Sequence, residues 1–351
     1  MNERYSINEA AEIFGITTNK LRFYEKKGIL KPKRDTINNY RYYTNDDLIR
    51  IQTILMYRVL GLPLDDIKNI LDEVIKDNII DHFYKQWEVI NDEIHRLRLM
   101  RDSIEGIMDD IYDSKGENKL NKIMESAKRI SQIRKIKASW KDRWDFDDWA
   151  KTYDISVKND SGELKIYENY NDVLSTVYEE AIKGINIEKH NVRILDIGVG
   201  TGNLSEKFLV EGYDIVGIDQ SRKMLNVAKQ KFPNLKVRLG EFLNIPFDRN
   251  EFDIIVTTYA FHHLNDEEKE LAIDEMMRVL KDNGRIIIGD MMFENSLEKS
   301  KLMKKLSKEQ IDEINDEYYS DIEKLEAVFN KQGKQLDKYK IDMLNFVICV
   351  Y

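Results

Sequence analysis

Three hydrophobic periods succeed one another along the chain. In the first 76 residues, apolar positions recur at helical spacing between turn signals. Ser6-Ile7-Asn8-Glu9 sets a hydroxyl at a helix N-cap with a carboxylate three residues later, a capping-box pattern that predicts a short helix. Ala11 lets a second helix approach closely. Gly15 supplies the positive φ of a tight turn, and Thr17 can cap the helix that follows. This is a helix-turn-helix layout. Its second helix carries Thr18, Asn19, Lys20, Arg22 and Tyr24, donors suited to phosphates and base edges, with Leu21 toward the core. In KPKRDTINNYRYY (31–43), a turn at Asn38-Asn39 and the alternation of Tyr40 and Tyr42 with Arg41 and Tyr43 predict a two-stranded wing. Thr44 and Asp47 cap a third helix ending near Gly61, and residues 64–71 form a fourth.

The second period is a heptad. Phe83, Trp87, Ile90, Ile94, Leu97, Arg101, Ile104, Met108 and Ile111 follow at steps of four and three, apolar except at Arg101. A helix lying on its own domain needs no such strict repeat. The pattern therefore predicts a coiled coil, with Asp92, Glu93, Arg96 and Arg98 on a solvated face. Residues 114–118 are a polar break, and 119–137 read as a connector helix.

The third period belongs to buried strands. Residues 192–197 are a short apolar run, read as a parallel strand, that leads into Gly198-Val199-Gly200-Thr201-Gly202 and then a helix over 204–210. Glycines let a backbone approach a ligand closely, and the helix N-terminus offers unpaired N–H groups. A second strand over 214–219 ends in Asp219, whose carboxylate can accept two ribose hydroxyls. Dinucleotide sites usually show GxGxxG, whereas this loop is GxGxG followed by Asn203. The fold class expected is therefore multidomain: an all-α winged helix-turn-helix with a long coiled-coil helix, then an α/β Rossmann-like, doubly wound, mostly parallel sheet.

Composition narrows the chemistry. The 351 residues suggest two to three domains. The net charge of −9 argues against a nucleic-acid coat protein, yet Lys20 to Arg41 holds eight basic residues against Glu25 and Asp35. Cys349 is the single cysteine and excludes a disulfide framework or a cysteine-rich metal site. The five histidines show no HExxH spacing, so no metal is expected. No apolar run reaches the roughly 18 residues of a transmembrane helix, and MNERYSINEAAE has no signal-peptide character, so a cytoplasmic protein without membrane contact is expected.

The segments SINEAAEIFGITTNKLRFYEKKGIL (6–30) and NNYRYYTNDDLIRIQTILMYRVLGLPLDDIKNIL (38–71) resemble the MerR family of transcriptional regulators, with Asn39 where many members have glycine. The resemblance implies a dimer on a pseudo-palindromic promoter element in double-stranded DNA. It points to Thr17, Thr18, Lys20, Arg22, Tyr24, Arg41 and Tyr42 as DNA contacts, and to residues 79–111 as the dimer helix. Metal-sensing members place cysteines in and after the long helix, and this chain has none there.

ILDIGVGTG (194–202) resembles class I S-adenosylmethionine-dependent methyltransferases. VGIDQSRKMLNVAK (216–229), GEFLNIPF (240–247), FDIIVTTYAFHHL (252–264) and RVLKDNGRIIIGD (278–290) agree with later motifs of that class. WDFDDWAKTYD (144–154) resembles the N-terminal lid of its small-molecule members, notably bacterial methyltransferases sharing WAxxYD and YAFHHLxDEEK. The resemblance implies S-adenosylmethionine as cofactor. Tyr153 would lie in the lid. Asp196, Gly198, Gly200 and Gly202 would form the first motif, Asp219 and Gln220 the ribose end, Glu241 and Phe242 the adenine end, and Thr257 the fourth strand. His262, His263 and Tyr259 are the catalytic candidates, with a histidine pair that only fixes its loop as the alternative; Trp149 and Tyr259 are candidates for the pocket lining. DNA methyltransferases carry a (D/N/S)PP(Y/F/W) or Pro-Cys motif near this point. Thr257-Thr258-Tyr259-Ala260 has neither, so DNA is expected as the address and a small molecule as methyl acceptor.

The expected organisation is 1–76 DNA-binding, 77–113 coiled coil, 114–139 connector and 140–351 methyltransferase. Three readings stay open: a regulator with a methyltransferase effector domain, an active enzyme controlling its own promoter, and an inactive sensor of S-adenosylmethionine or S-adenosylhomocysteine.

Overall fold

A computed structural model of the chain describes residues 4–36, 39–74, 79–113, 124, 127–128, 131, 135–136, 146–160 and 162–351; the side chains of 72–74, 79–82 and 109–113 are excepted. The connector expected over 114–139 falls almost wholly outside these residues, as do Asn38, Trp144, Asp145 and the side chains of His82 and Ile111. By compactness the chain divides into residues 1–94 and 95–351. Among the described residues no helix is long and apolar enough to cross a membrane.

In the first unit, α1 (Ile7–Ile13) starts at the expected capping box. The Glu9 N–H donates to Ser6 Oγ at 3.3 Å, and the Ser6 N–H to Glu9 Oε2 at 2.7 Å. Gly15 turns the chain at φ +60°. The Thr17 hydroxyl accepts from the Lys20 N–H at the start of α2 (Thr18–Lys26). The wing is shorter than its sequence suggests: β1 (Lys33–Arg34) and β2 (Arg41–Tyr42) pair antiparallel over two residues each. Asn39 adopts φ +59°, the left-handed conformation that asparagine tolerates better than most residues. A second capping box, Thr44 with Asp47, opens α3 (Asn45–Val59), and α4 (Leu64–Val74) follows. Leu21, Ile29, Leu30, Tyr43, Ile51, Ile54 and Tyr57 close the core.

Helix α5 (Ile79–Asp113) runs through the heptad as one element. Its first half packs within the first unit, where Gln86 Nε2 donates to Thr53 Oγ1 at 2.8 Å. Within the second unit, Arg98 pairs with Asp248 at 2.5 Å, and Asp102 with Arg249 at 2.6 Å. Arg98 is therefore not on a solvated face. The four-residue step from Arg98 to Asp102 places these two side chains along one stripe of the helix. Of the seam, Phe83, Ile94, Leu97, Ile104 and Met108 are exposed.

The second unit is a doubly wound sheet. Strands β3 (Arg193–Ile197), β4 (Asp214–Asp219), β5 (Lys236–Leu239), β6 (Phe252–Thr258) and β7 (Leu280–Phe293) run parallel. Strand β8 (Ser320–Asp321) joins β7 in parallel, while β10 (Asn345–Val350) lies antiparallel between β7 and β9 (Leu336–Lys340). The order β5-β4-β3-β6-β7-β10-β9 makes β3 the strand from which the chain winds first one way and then the other. A crevice opens at the carboxyl ends of the strands at such a switch point. The glycine loop and α9 (Asn203–Val210) follow β3, and α10 (Arg222–Lys231) follows β4. Ahead of the sheet lie α6 (Phe146–Trp149), α7 (Tyr153–Asn159) and α8 (Tyr170–Ile182). Cys349 is buried in β10, a packing position, and burial pushes its thiol up to about 11.

Candidate active site

A cleft partly open to solvent lies at the switch point. The loops after four parallel strands and the lid supply its walls. The end of β3 and its loop give Ile197, Gly198 and Gly200, the end of β4 and the segment after it Asp219, Gln220 and Met224, the loop after β5 Gly240, Glu241 and Phe242, and the end of β6 and its loop Thr258, Tyr259, Ala260, His263 and Leu264. Phe146 and Tyr153 close it.

The loop has to be glycine where it bends. Gly198 takes φ +72°, and a Cβ there would stand 2.5 Å from Ala260 Cβ. At Gly200 (φ +52°) the nearest atom to such a Cβ is 4.0 Å away, so this face of the loop is open. The Gly198 and Val199 N–H groups both donate to the Ile218 carbonyl at 2.9 Å, tying the loop to β4. The Gly200 N–H donates to Asp219 Oδ2 at 2.9 Å, and Ser221 N–H to Asp219 Oδ1 at 2.8 Å, which fixes that carboxylate at the cavity edge.

The lid segment is clasped to the same loops. Asp154 accepts from the Thr201 hydroxyl at 2.6 Å and from Asn203 Nδ2 at 3.0 Å, and pairs with Lys231 at 2.6 Å. Burial works against its charge, but Lys231, Thr201 and Asn203 outweigh that and hold the carboxyl below the usual range. Asp147 accepts from the Ser221 hydroxyl at 2.6 Å and from the Lys223 N–H at 3.2 Å. Burial among Tyr170, Tyr167 and Tyr259 raises the Tyr153 phenol.

Tyr259 sits at φ +50°, strained for a bulky side chain, with its N–H on the Gly289 carbonyl at 3.0 Å. Its ring stacks on Tyr170 (5.1 Å, 27°) and lies 5.2 Å from Tyr167. Its hydroxyl is buried with no hydrogen-bond partner among the described residues. Next to it the two histidines diverge. His262 is buried on Asp290 (Nδ1 to Oδ1 2.6 Å), while His263 enters the cavity wall with Nδ1 3.1 Å from Glu317 Oε2. Burial, then the neighbouring His262, depresses His263 to about 4.

Of the residues expected from the sequence, Tyr153, Gly198, Gly200, Asp219, Gln220, Glu241, Phe242, Tyr259 and His263 line this cavity. Others stand elsewhere, and each has a physical reason. Asp196 is buried behind the loop, where the Ser205 hydroxyl donates to it at 2.7 Å; burial raises its carboxyl to about 7. Gly202 (φ +87°) is the N-cap of α9, and a Cβ there would press on Phe232 at 2.9 Å, so it serves packing. Thr257 points off the wall because side chains alternate along β6, which puts Thr258 in the cavity instead. Trp149 donates to Ser156 Oγ at 3.2 Å and His262 turns to Asp290; neither is in the wall. Phe146, Met224, Ala260 and Leu264 also line the cavity; each lies within a segment that carries the methyltransferase resemblance, without being one of its expected site residues.

In the DNA-binding candidate set, Thr17, Lys20 and Arg22 are exposed and Thr18 half-buried. Tyr24 is a correction: it is 2% exposed, because Leu21 and Tyr24, one turn apart on α2, both face the core. Arg41 is half-buried, with Nε held by Glu25 at 2.8 Å, and Arg4 covers the Tyr42 ring at 4.5 Å.

The family model described as a methyltransferase domain matches residues 194–284, and that of the MerR helix-turn-helix regulatory proteins matches residues 5–74. An uncharacterized methyltransferase of Alkaliphilus oremlandii is 36% identical over 209 residues, 58% of this chain and 94% of that protein. One from Oceanobacillus iheyensis is 37% identical over 191 residues, 53% of this chain and 85% of its own. Among solved structures, magnesium protoporphyrin IX methyltransferase from Synechocystis, 15% identical, aligns over 60% of this chain and 99% of its own with a TM-score of 0.45. The chain belongs to the class I S-adenosylmethionine-dependent methyltransferases, carrying a MerR-type helix-turn-helix region ahead of that domain.

Proposed function

We propose that this protein is a DNA-binding regulator whose C-terminal domain binds S-adenosylmethionine and methylates a small molecule. The observation that carries the reading is the cavity itself: Asp219 anchored by two backbone N–H groups, beside a glycine loop with open space at Gly200. The residues present fit the cofactor. When bound, it supplies a methyl group on a sulfonium sulfur. Asp219 would accept from the ribose hydroxyls, Glu241 and Phe242 would hold the adenine, and Gln220 would flank them. Phe146 and Tyr153 exclude water from above. Tyr259, whose hydroxyl has no hydrogen-bond partner among the described residues, and His263 would stand on the acceptor side and orient the nucleophile. Positioning of this kind supplies most of the acceleration in a two-substrate transfer.

In this reading residues 1–76 bind promoter DNA through Thr17, Thr18, Lys20, Arg22, Arg41 and Tyr42, residues 77–113 make the homodimer, and 140–351 are the effector domain. The exposed seam of α5 supports the dimer. Binding of cofactor or acceptor shifts the DNA equilibrium only insofar as it differs between the two states. The test is a gel-shift titration of the DNA upstream of the gene, with and without S-adenosylmethionine, alongside transfer of labelled methyl groups into a metabolite extract. The reading expects a retarded complex, a cofactor-dependent affinity and a labelled small molecule. An intact wild-type protein that ignores both DNA and cofactor contradicts it.

A further inference from the structure

The histidine pair acquires a third member in the fold. Asp290 is fully buried. Its Oδ2 accepts the N–H groups of Phe261 (2.8 Å) and His262 (3.0 Å), and its Oδ1 the N–H of Met291 (2.8 Å). Held this way, its Oδ1 accepts a hydrogen bond from His262 Nδ1 at 2.6 Å, which leaves Nε2 as the ring nitrogen turned to other partners. The His263 ring follows at 3.9 Å between centroids. Further along the chain, the Tyr318 N–H donates to the His262 carbonyl at 3.0 Å, which brings Glu317 Oε2, 54 residues from His263, to 3.1 Å from the His263 Nδ1. One ligand atom from each of His262, His263 and Glu317 lies within 4.8 Å of the others. Their side chains are 3%, 11% and 19% exposed.

We propose that His262, His263 and Glu317 bind one divalent cation of the zinc class at the edge of the cofactor cavity. Two imidazoles and one carboxylate suit zinc or cobalt rather than magnesium or calcium, which take oxygen ligands. Metal–ligand bonds of about 2.0–2.1 Å at tetrahedral angles set donor atoms about 3.3 Å apart. The His263–Glu317 separation, 3.1 Å, already has that value to within a few tenths of an ångström, and the third donor lies within 4.8 Å of both. Asp290 completes the pattern in which a ligating histidine donates its other ring nitrogen to a carboxylate. Three protein ligands leave a fourth position beside a residue of the cavity wall. If the methyltransferase reading above holds, the acceptors selected carry an ionisable hydroxyl or thiol able to ligate there. The cation site itself does not rest on methyl transfer.

The experiment uses the untagged full chain, stripped with a chelator and titrated with Co²⁺ while its visible d–d absorption is followed, then with Zn²⁺ in competition. The expected result is one tetrahedral equivalent per chain, displaced by Zn²⁺. Glu317→Gln and His263→Ala weaken binding at least tenfold, Asp290→Asn weakens it about 10–100-fold, and the exposed His190→Ala leaves it unchanged. Glu317 is part-exposed, so Glu317→Gln carries the test if a buried variant fails to fold. Absence of the d–d bands in the wild type, or unchanged affinity in Glu317→Gln, overturns the site. S-adenosylmethionine binding on the same stripped sample separates the two claims: a protein that binds the cofactor but shows no d–d bands when Co²⁺ is added overturns the cation site and leaves the methyltransferase reading standing.

Discussion

Asp154 Oδ1 accepts a hydrogen bond from the Thr201 hydroxyl at 2.6 Å, joining the lid helix α7 to the glycine loop 47 residues later. The same carboxylate holds Asn203 and Lys231. The lid is thus fastened to the residues that form the cavity, and its release would open the site to water. Asp154→Ala should weaken S-adenosylmethionine binding about tenfold, with the far-UV spectrum unchanged. Calorimetry with the wild type in parallel checks this; equal affinity would separate the lid from the site.

Asp196 makes a pH-dependent prediction. Its carboxyl is raised to about 7 from an ordinary value near 3.8, chiefly by burial. Between these values the folded state holds the proton and the unfolded state does not, so the group's contribution to stability falls as pH rises through the window and is lowest above pH 7. Asp196→Asn removes the buried charge while keeping an acceptor for Ser205. Its stabilisation should therefore be larger at pH 8 than at pH 5, by on the order of 1–3 kcal/mol. Denaturant melts at the two pH values give the comparison, and an equal or reversed gain would contradict the burial argument.

Tyr24 and Arg22 sit two residues apart on α2 with opposite fates. Tyr24→Ala should cost about 3–5 kcal/mol of stability in the first unit, as core aromatics do. Arg22→Ala should leave stability within about 0.5 kcal/mol and weaken promoter binding, with the salt slope reduced by about 1. Thermal melts and salt-titrated gel shifts distinguish them. Loss of DNA binding in Tyr24→Phe, which keeps the core, would restore Tyr24 as a DNA contact.

The exposed seam makes an assembly prediction. Leu97 is 52% and Ile104 56% exposed, so Leu97→Asp with Ile104→Asp removes little packing from the single chain. Light scattering should show a dimer for the wild type and a monomer for the double variant. An unchanged mass would mean that another surface holds the copies together.

Local signals were legible from the sequence wherever local chemistry decides the structure. The Ser6–Glu9 and Thr44–Asp47 boxes, the Gly15 turn and the Thr17 cap all need only a few adjacent residues, and the structure has each of them. The glycine loop and Asp219 were legible for a similar reason: an open loop at a strand end leaves few alternatives to glycine. What depends on orientation within an element was harder. Thr258 rather than Thr257 reaches the cavity because of strand alternation, and Tyr24 turns inward because of helix phase. What depends on long-range contact was invisible. Arg98 finds Asp248 150 residues away, and Glu317 meets His263 only because Tyr318 pairs with the backbone of His262.

The central claim is that the cavity beside Asp219 is a cofactor site. Isothermal titration of S-adenosylmethionine into the full-length protein tests it most directly, with Asp219→Asn as the paired variant. The account expects one site per chain and at least a tenfold loss of affinity in the variant. No measurable heat with folded wild-type protein, or equal affinity in the two, would contradict it.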